Sequence, residues 1–209
     1  MEWLNDNAQA ISAIASICTL FVWVFYAQLL YNGYVRQRRP RIIVNRGKGV
    51  GKDALCLISN MSSEAVYIQH LVAVLHTDEH CYELDVVEYQ QQSADDESER
   101  YRTHQGPLAS GDYLHIQSFG TIVEQLISHY NIDEQSLRQQ KPQLEIRVIA
   151  IYGSEDMPIG ASRHFKLDLS ADSLHQLNPL QVDTKRMTSR QERKRVLQWA
   201  KDIEMYKAK

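Results

Sequence analysis

The chain has 209 residues and a net charge of −3, with 23 Lys or Arg against 26 Asp or Glu. This length predicts one domain, or one domain and an anchor, and three cysteines are too few for a disulfide framework. Residues 53–184 carry seven basic and twenty-one acidic side chains, a net charge of −14, which excludes a nucleic-acid-binding surface on this acidic body.

The first element is a long apolar segment. Residues 11–30 contain no Asp, Glu, Lys, Arg or His. Twenty helical residues extend about 30 Å, which matches the hydrocarbon core of a bilayer. A secretory signal peptide would begin with basic residues and end at a small-residue cleavage site, whereas Glu2 and Asp6 precede this segment. The segment therefore predicts a single transmembrane helix over residues 8–35, after a short external N-terminus, residues 1–7.

A basic collar, residues 36–52, follows the predicted helix directly. It contains seven Lys or Arg and no acidic residue, and its membrane-proximal members are Arg36, Arg38, Arg39 and Arg41. Positively charged flanks stay on the cytoplasmic side of a membrane, and they also attract anionic lipid headgroups. We therefore expect a single-pass protein of the inner (cytoplasmic) membrane, with its N-terminus outside and its C-terminal domain in the cytoplasm.

One face of the predicted transmembrane helix consists of small residues. Ala8, Ser12 and Ser16 recur every four residues, and Thr19 lies beside them. Small residues at this spacing let two helices approach closely in lipid, and Gln28, deep in the span, can hydrogen-bond across such an interface. We expect a homo-oligomer held partly by this association face. The alternative is an ordinary anchor whose small residues reflect composition alone.

The central segment, residues 53–170, predicts one domain made mainly of β-strands. Alternating or β-branched runs separated by turn residues indicate an antiparallel β-sandwich, broadly immunoglobulin-like. A polar insert over residues 90–104 and two short helices, over residues 121–131 and after Asp133, interrupt this pattern. The predicted strands cover residues 41–45, 54–60, 65–76, 81–89, 112–119, 143–152 and 160–169.

The C-terminal part is predicted as a linker, residues 171–187, and a basic amphipathic helix, residues 188–209. Ser189 with Glu192 three residues later is a capping-box pattern, which predicts the helix start. We expect this helix to dock on the acidic body of its own chain or of a neighbouring copy. A membrane surface and nucleic acid are the alternatives. One helical stripe is apolar and forms the predicted docking surface: Val196, Trp199, Ile203 and Tyr206.

A glycine-rich stretch, residues 45–52, resembles a phosphate-binding loop but does not meet its pattern. Arg46 stands at the position of the first glycine, and Asp53 stands where the hydroxyl residue is required. We therefore predict a flexible turn between two strands. A weaker anion-binding use stays open, because glycine amides together with Lys48 and Lys52 can hold a phosphate.

Three potential metal ligands, His76, His80 and Cys81, are close in sequence. A structural zinc site needs four ligands, so other residues would have to complete this one, and scattered surface histidines are the more common case. The residues considered for completing it are His70, Cys56 and His115. No Gly-x-Ser-x-Gly, His-Glu-x-x-His or Cys-x-x-Cys motif occurs. We therefore predict no catalytic residues, no metal and no cofactor, and a protein that is not an enzyme.

Two functions from different classes fit these patterns. The first is a membrane-anchored, non-enzymatic interaction or regulatory protein that self-associates through its span and presents a cytosolic β-sandwich to a membrane or cytosolic protein. The second is an oligomeric, ligand-responsive membrane effector or channel subunit whose cytosolic domain senses a small anionic signal. Membrane lipid and further copies of the chain are expected partners in both cases, and nucleic acid in neither.

Overall fold

The computed structural model describes residues 7–37, 39–49, 51–89, 105–153, 155–168 and 177–207. The chain divides into two compact units, Met1–Arg39 and Pro40–Lys209. The boundary falls inside the predicted basic collar.

The first unit is a helix, α1 (Ala8–Gln37). Among the described residues, α1 is the one helix long and apolar enough to cross a membrane, over Ala8–Val35 with a mean hydropathy of 2.0, and none of that segment is buried. Two of its hydroxyl groups bond within the helix: Ser16 Oγ donates to the Ser12 carbonyl and Thr19 Oγ1 to the Ala15 carbonyl, both at 2.8 Å. These bonds satisfy the Ser16 and Thr19 hydroxyl groups without a partner outside the helix.

The second unit consists mainly of β-strands. Its described strands are β1 (Ile42–Arg46), β2 (Leu55–Asn60), β3 (Val66–His76), β4 (Cys81–Asp85), β5 (Gly106–Leu108), β6 (Tyr113–Ser118), β7 (Gln143–Tyr152), β8 (Ile159–Leu167), β9 (Leu177–Pro179) and β10 (Lys185–Met187). Its helices are α2 (Val86–Tyr89), α3 (Phe119–Tyr130), α4 (Glu134–Gln139) and α5 (Arg190–Lys207), with a 3₁₀ turn at Gly51–Asp53.

The strands form two sheets, and each of their pairings is antiparallel. One sheet has three strands in the order β1-β2-β6. The other has the order β10-β8-β7-β3-β4, with β5 added to β3 and β9 added to β8. The prediction of a mainly antiparallel β domain with a few helices is therefore confirmed.

One large hydrophobic cluster joins the two sheets. Ile58 on β2 and Ile146 on β7 belong to the same buried cluster, as does Leu126 on α3. Phe119 at the start of α3 contacts Phe165 on β8, with ring centroids 4.7 Å apart. Burying one such large apolar side chain contributes about 1.5–3 kcal/mol, so this shared core is the main source of the domain's stability.

The C-terminal helix α5 packs on the outer face of the larger sheet. Val196 on α5 and Ile149 on β7 are fully buried in a second, smaller cluster with Met187. A Cβ atom at Gly160 on β8 would lie 2.5 Å from Val196 Cγ2, closer than van der Waals contact allows. Because glycine lacks that atom, the helix can approach the strand closely at this point.

Three parts of the fold differ from the predicted elements, and one of them is β5, a strand of three residues that was not predicted. The strand predicted over residues 81–89 ends at Asp85, where the Asp85 carboxylate accepts a hydrogen bond from the Val87 amide at 3.1 Å and the chain turns into α2. Val86 and Val87 are β-branched, and both are buried, so the sequence pattern imitates a continuing strand. Two short strands, β9 and β10, lie in the segment predicted as a linker. The polar insert lies outside the described residues.

Candidate functional site

The predicted association face lies on the exposed surface of α1. Ala8, Ser12, Ser16, Thr19 and Gln28 are all exposed. Their exposure leaves this face available for contact with lipid or with another helix.

The basic collar is described only in part. Arg39 and Arg41 are exposed, whereas the side chain of Arg36 and the whole of Arg38 lie outside the described residues. The Arg41 backbone amide donates to Ser62 Oγ at 2.8 Å, so the collar's chain is tied to the sheet domain at this residue.

The predicted docking surface on α5 faces the larger sheet of its own domain. Val196 is fully buried, and Trp199 and Ile203 pack half-buried beside it. The Tyr206 side chain lies outside the described residues. The capping box is present: the Ser189 backbone amide donates to Glu192 Oε2 at 3.1 Å, and the Glu192 amide donates to Ser189 Oγ at 3.3 Å. This local geometry fixes where α5 begins.

Polar contacts also hold α5 on the sheet. The Arg147 guanidinium lies over the Trp199 ring, 4.5 Å from its centroid, which is a cation–π contact. On the same face, His70 Nε2 lies 3.5 Å from Glu204 on α5. Arg193 also forms an ion pair with Glu155 in the loop after β7.

Beside Trp199, the outer face of the sheet carries a group of titratable side chains. His76, Glu145 and His164, named here the His–Glu–His cluster, lie on β3, β7 and β8, with their potential ligand atoms all within 4.8 Å of one another. His76 Nε2 lies 3.1 Å from Glu145 Oε2, and His164 Nε2 lies 3.7 Å from the same oxygen. The two imidazole rings stack with centroids 5.9 Å apart.

Strand pairing brings these residues together. Glu145 is the direct partner of His164 in the β7–β8 ladder, and His76 pairs with Gln143, two residues from Glu145 on β7. Side chains two residues apart on a strand share one face, so the three side chains project to the same side of the sheet.

Arg147 neutralises Glu145 and orients its carboxylate. Its Nε and Nη2 atoms lie 3.0 and 2.9 Å from Glu145 Oε2, and its Nη1 donates to Glu83 Oε1 at 2.7 Å. Burial by itself would raise the pKa of Glu145, but the hydrogen bond and charge of Arg147, together with the contributions of His164 and His76, outweigh that effect and lower it. Glu145 is therefore ionised at neutral pH although it is buried.

The histidines of the cluster have contrasting surroundings. Cys81 Sγ lies 3.5 Å from His76 Nδ1, so both nitrogens of that ring face polar groups. His164 Nδ1 is buried and has no hydrogen-bond partner among the described residues. Burial lowers the pKa of His164 more than the charge of Glu145 raises it. The chemistry of the cluster is that of two imidazoles and a carboxylate, all potential metal ligands.

The sequence-based metal hypothesis identified only part of this cluster. It included His76 and Cys81, which the fold does bring together. His80 instead stacks on Tyr82, with ring centroids 5.9 Å apart. The candidates for completing a site lie elsewhere: His70 binds Asp85 at 3.0 Å, Cys56 is buried in the core, and His115 packs on Tyr113. Glu145 and His164 were missed because they are distant in sequence and only strand register places them beside His76.

The glycine-rich stretch forms a turn between β1 and β2. Gly49 and Gly51 have positive φ angles of 120° and 62°, and a Cβ atom at Gly49 would lie 2.6 Å from the Asp53 carbonyl oxygen. Lys48 is exposed, and Lys52 lines a cleft of about 260 Å³ in which its ammonium lies 3.9 Å from Glu124. The glycines therefore serve the backbone conformation of the turn.

No protein-family model, no curated protein and no solved structure matches this chain.

Proposed function

We propose that this protein is a single-span, membrane-anchored interaction or regulatory protein without enzymatic activity. In this proposal it self-associates through α1 and presents its β domain to a protein partner. One observation carries the proposal: α1 exposes a continuous apolar surface over Ala8–Val35 and forms a unit separate from a domain that has its own core. Soluble proteins rarely expose apolar patches larger than a few hundred Å², so a bilayer is the natural environment of this helix.

The charge distribution supports one orientation. The basic collar flanks α1 on its C-terminal side and Glu2 and Asp6 precede it, which favours an external N-terminus and a cytoplasmic β domain at the inner membrane. The acidic body would be repelled by anionic lipids and would stand off the bilayer, where it is accessible to a protein.

The shared core supports the proposed architecture of the β domain. Buried residues from the three-stranded and the larger sheet belong to one cluster, as expected for a sandwich of the broad immunoglobulin-like kind. Such a sandwich offers strand edges and loops as binding surfaces around a rigid centre.

The small residues of α1 support self-association. Ala8, Ser12 and Ser16 lie on one exposed face, and their spacing permits close helix contact. A channel would need a polar stripe along the whole helix, but the bulky Trp23 and Phe25 follow the small residues. Helix association is therefore favoured over an aqueous pore as the use of this face.

Mass measurement of the full chain in mild detergent tests the proposal. The wild-type protein should be an oligomer, and Ser12→Leu with Ser16→Leu should shift its mass towards the monomer by weakening helix contact by about 1 kcal/mol or more. Ala10→Leu with Cys18→Leu is the matched control, because it enlarges small side chains on the opposite face. A monomeric wild type, or equal masses for all three proteins, would contradict the proposed association, and co-purifying chains would identify the partner.

A further inference from the structure

We propose that the His–Glu–His cluster is a binding site for one divalent transition-metal ion of the zinc class. The ligands would be His76 Nε2, Glu145 Oε2 and His164 Nε2, with water in the remaining position. This site goes beyond the proposed membrane-anchored function and does not depend on it.

The distances suit such an ion. A tetrahedral zinc ion bound at about 2.0–2.2 Å separates its ligand atoms by about 3.4 Å. The observed separations from Glu145 Oε2 are 3.1 Å to His76 Nε2 and 3.7 Å to His164 Nε2. The second distance is longer than a hydrogen bond, so the carboxylate does not satisfy that imidazole. All three potential ligand atoms lie within 4.8 Å of one another, so an ion between them would draw these atoms together and engage both rings.

The ligands are held on a rigid support. They belong to three adjacent strands, β3, β7 and β8, and Glu145 and His164 are direct ladder partners. Ligands on paired strands keep their positions better than ligands on loops, which lowers the cost of assembling the site.

The surrounding residues match those that orient metal ligands. Arg147 fixes the Glu145 carboxylate through Oε2, 2.9 Å from Nη2, so a bound ion would share this oxygen with the guanidinium. Cys81 contacts His76 Nδ1 at 3.5 Å, which leaves the opposite ring nitrogen facing the cluster. Such contacts select the tautomer and the orientation of a ligand. Arg147 also brings a positive charge close to the site, and Glu83 at 2.7 Å offsets that charge.

The site is accessible and chemically selective. The side chains of His76 and His164 are 34% and 27% exposed, whereas that of Glu145 is 6% exposed, so an ion can enter from solvent while the carboxylate stays sheltered.

Imidazole ligands favour Zn²⁺, Ni²⁺ and Cu²⁺, whereas Mg²⁺ and Ca²⁺ prefer sites made of oxygen atoms. We therefore expect Zn²⁺ to bind and Mg²⁺ to leave the site empty.

Calorimetric titration of Zn²⁺ into the untagged full chain in detergent, after treatment with a chelator, tests the site. One Zn²⁺ should bind per chain, and His76→Ala and His164→Gln should each weaken that binding by at least about tenfold. The matched controls are His80→Ala and His129→Ala, which remove exposed histidines outside the cluster and should leave the affinity unchanged. Circular dichroism of each variant separates loss of the site from loss of the fold, and His76→Gln replaces His76→Ala if the latter unfolds.

Substitution with Co²⁺ gives a second readout. Tetrahedral coordination should produce visible absorption that is absent from the His164→Gln variant. The proposal is overturned if the wild type binds no stoichiometric ion, or if both cluster variants bind as tightly as the His80→Ala control. Neither result depends on the oligomeric state, so this proposal and the proposed membrane function fail independently.

Discussion

Substitutions at Gly160 and Val196 test whether α5 is docked on the sheet as the structure shows. Val196→Ala removes two methyl groups from a fully buried side chain. At about 0.8 kcal/mol per buried carbon, with a further cost for the cavity and a small gain in helix propensity, the expected loss of stability is about 2 kcal/mol. Gly160→Ala adds a methyl group 2.5 Å from Val196 Cγ2 and should cost about 1–3 kcal/mol through overpacking.

The double variant provides the decisive comparison. In Gly160→Ala with Val196→Ala, the added methyl group occupies space that the shortened side chain vacates. The combined loss should therefore be smaller than the sum of the two single losses by about 1 kcal/mol or more. Lys194→Ala, at an exposed position of α5, is the control and should change stability by less than about 0.5 kcal/mol.

Urea unfolding of the full chain in detergent measures these differences. With Trp3 and Trp23 replaced by Phe, Trp199 is the sole tryptophan, and its position over Arg147 makes its emission sensitive to undocking of α5. Additive losses, within about 0.5 kcal/mol, would show that Gly160 and Val196 are not in contact and that α5 is not seated on β8.

Three further predictions follow from local features. Ser189→Ala should cost about 1 kcal/mol by removing the cap of α5. Hydrogen bonds from Ser189 lower the pKa of Glu192 in the folded state. The contribution of the Glu192 carboxylate to stability is therefore present above its unfolded pKa and is lost as the pH falls through its folded pKa. Urea unfolding at several pH values measures both effects. Burial raises the pKa of Cys56 to about 12, so iodoacetamide at pH 8 should modify this thiol only after unfolding. Mass spectrometry detects the modification, and labelling of Cys56 in the folded protein would refute the prediction. In a cysteine-free background, an impermeant maleimide should label Asn5→Cys in intact cells but Gln135→Cys only after permeabilisation, and the reverse pattern would invert the topology.

Elements that depend on neighbouring residues could be predicted from the sequence. The twenty uncharged residues within α1 are enough to identify a helix that can span a membrane, because length and apolar character are local properties. The seven longer strands likewise follow from alternation and turn residues, and the start of α5 follows from its capping box. The end of β4 was not predictable from the sequence. Val86 and Val87 are buried in α2, and two buried β-branched residues are equally typical of a strand that continues.

The candidate metal site depends on tertiary structure. His76 and Cys81 are close in sequence, but Glu145 and His164 join them only because β7 lies between β3 and β8 in one particular register. A shift of one residue would turn Glu145 to the opposite face of the sheet. The sequence by itself therefore determined a helix long and apolar enough to span a membrane and the β-rich class of the domain, both of which follow from local patterns. The order and register of the strands, set by long-range packing of the shared core, decided which side chains meet.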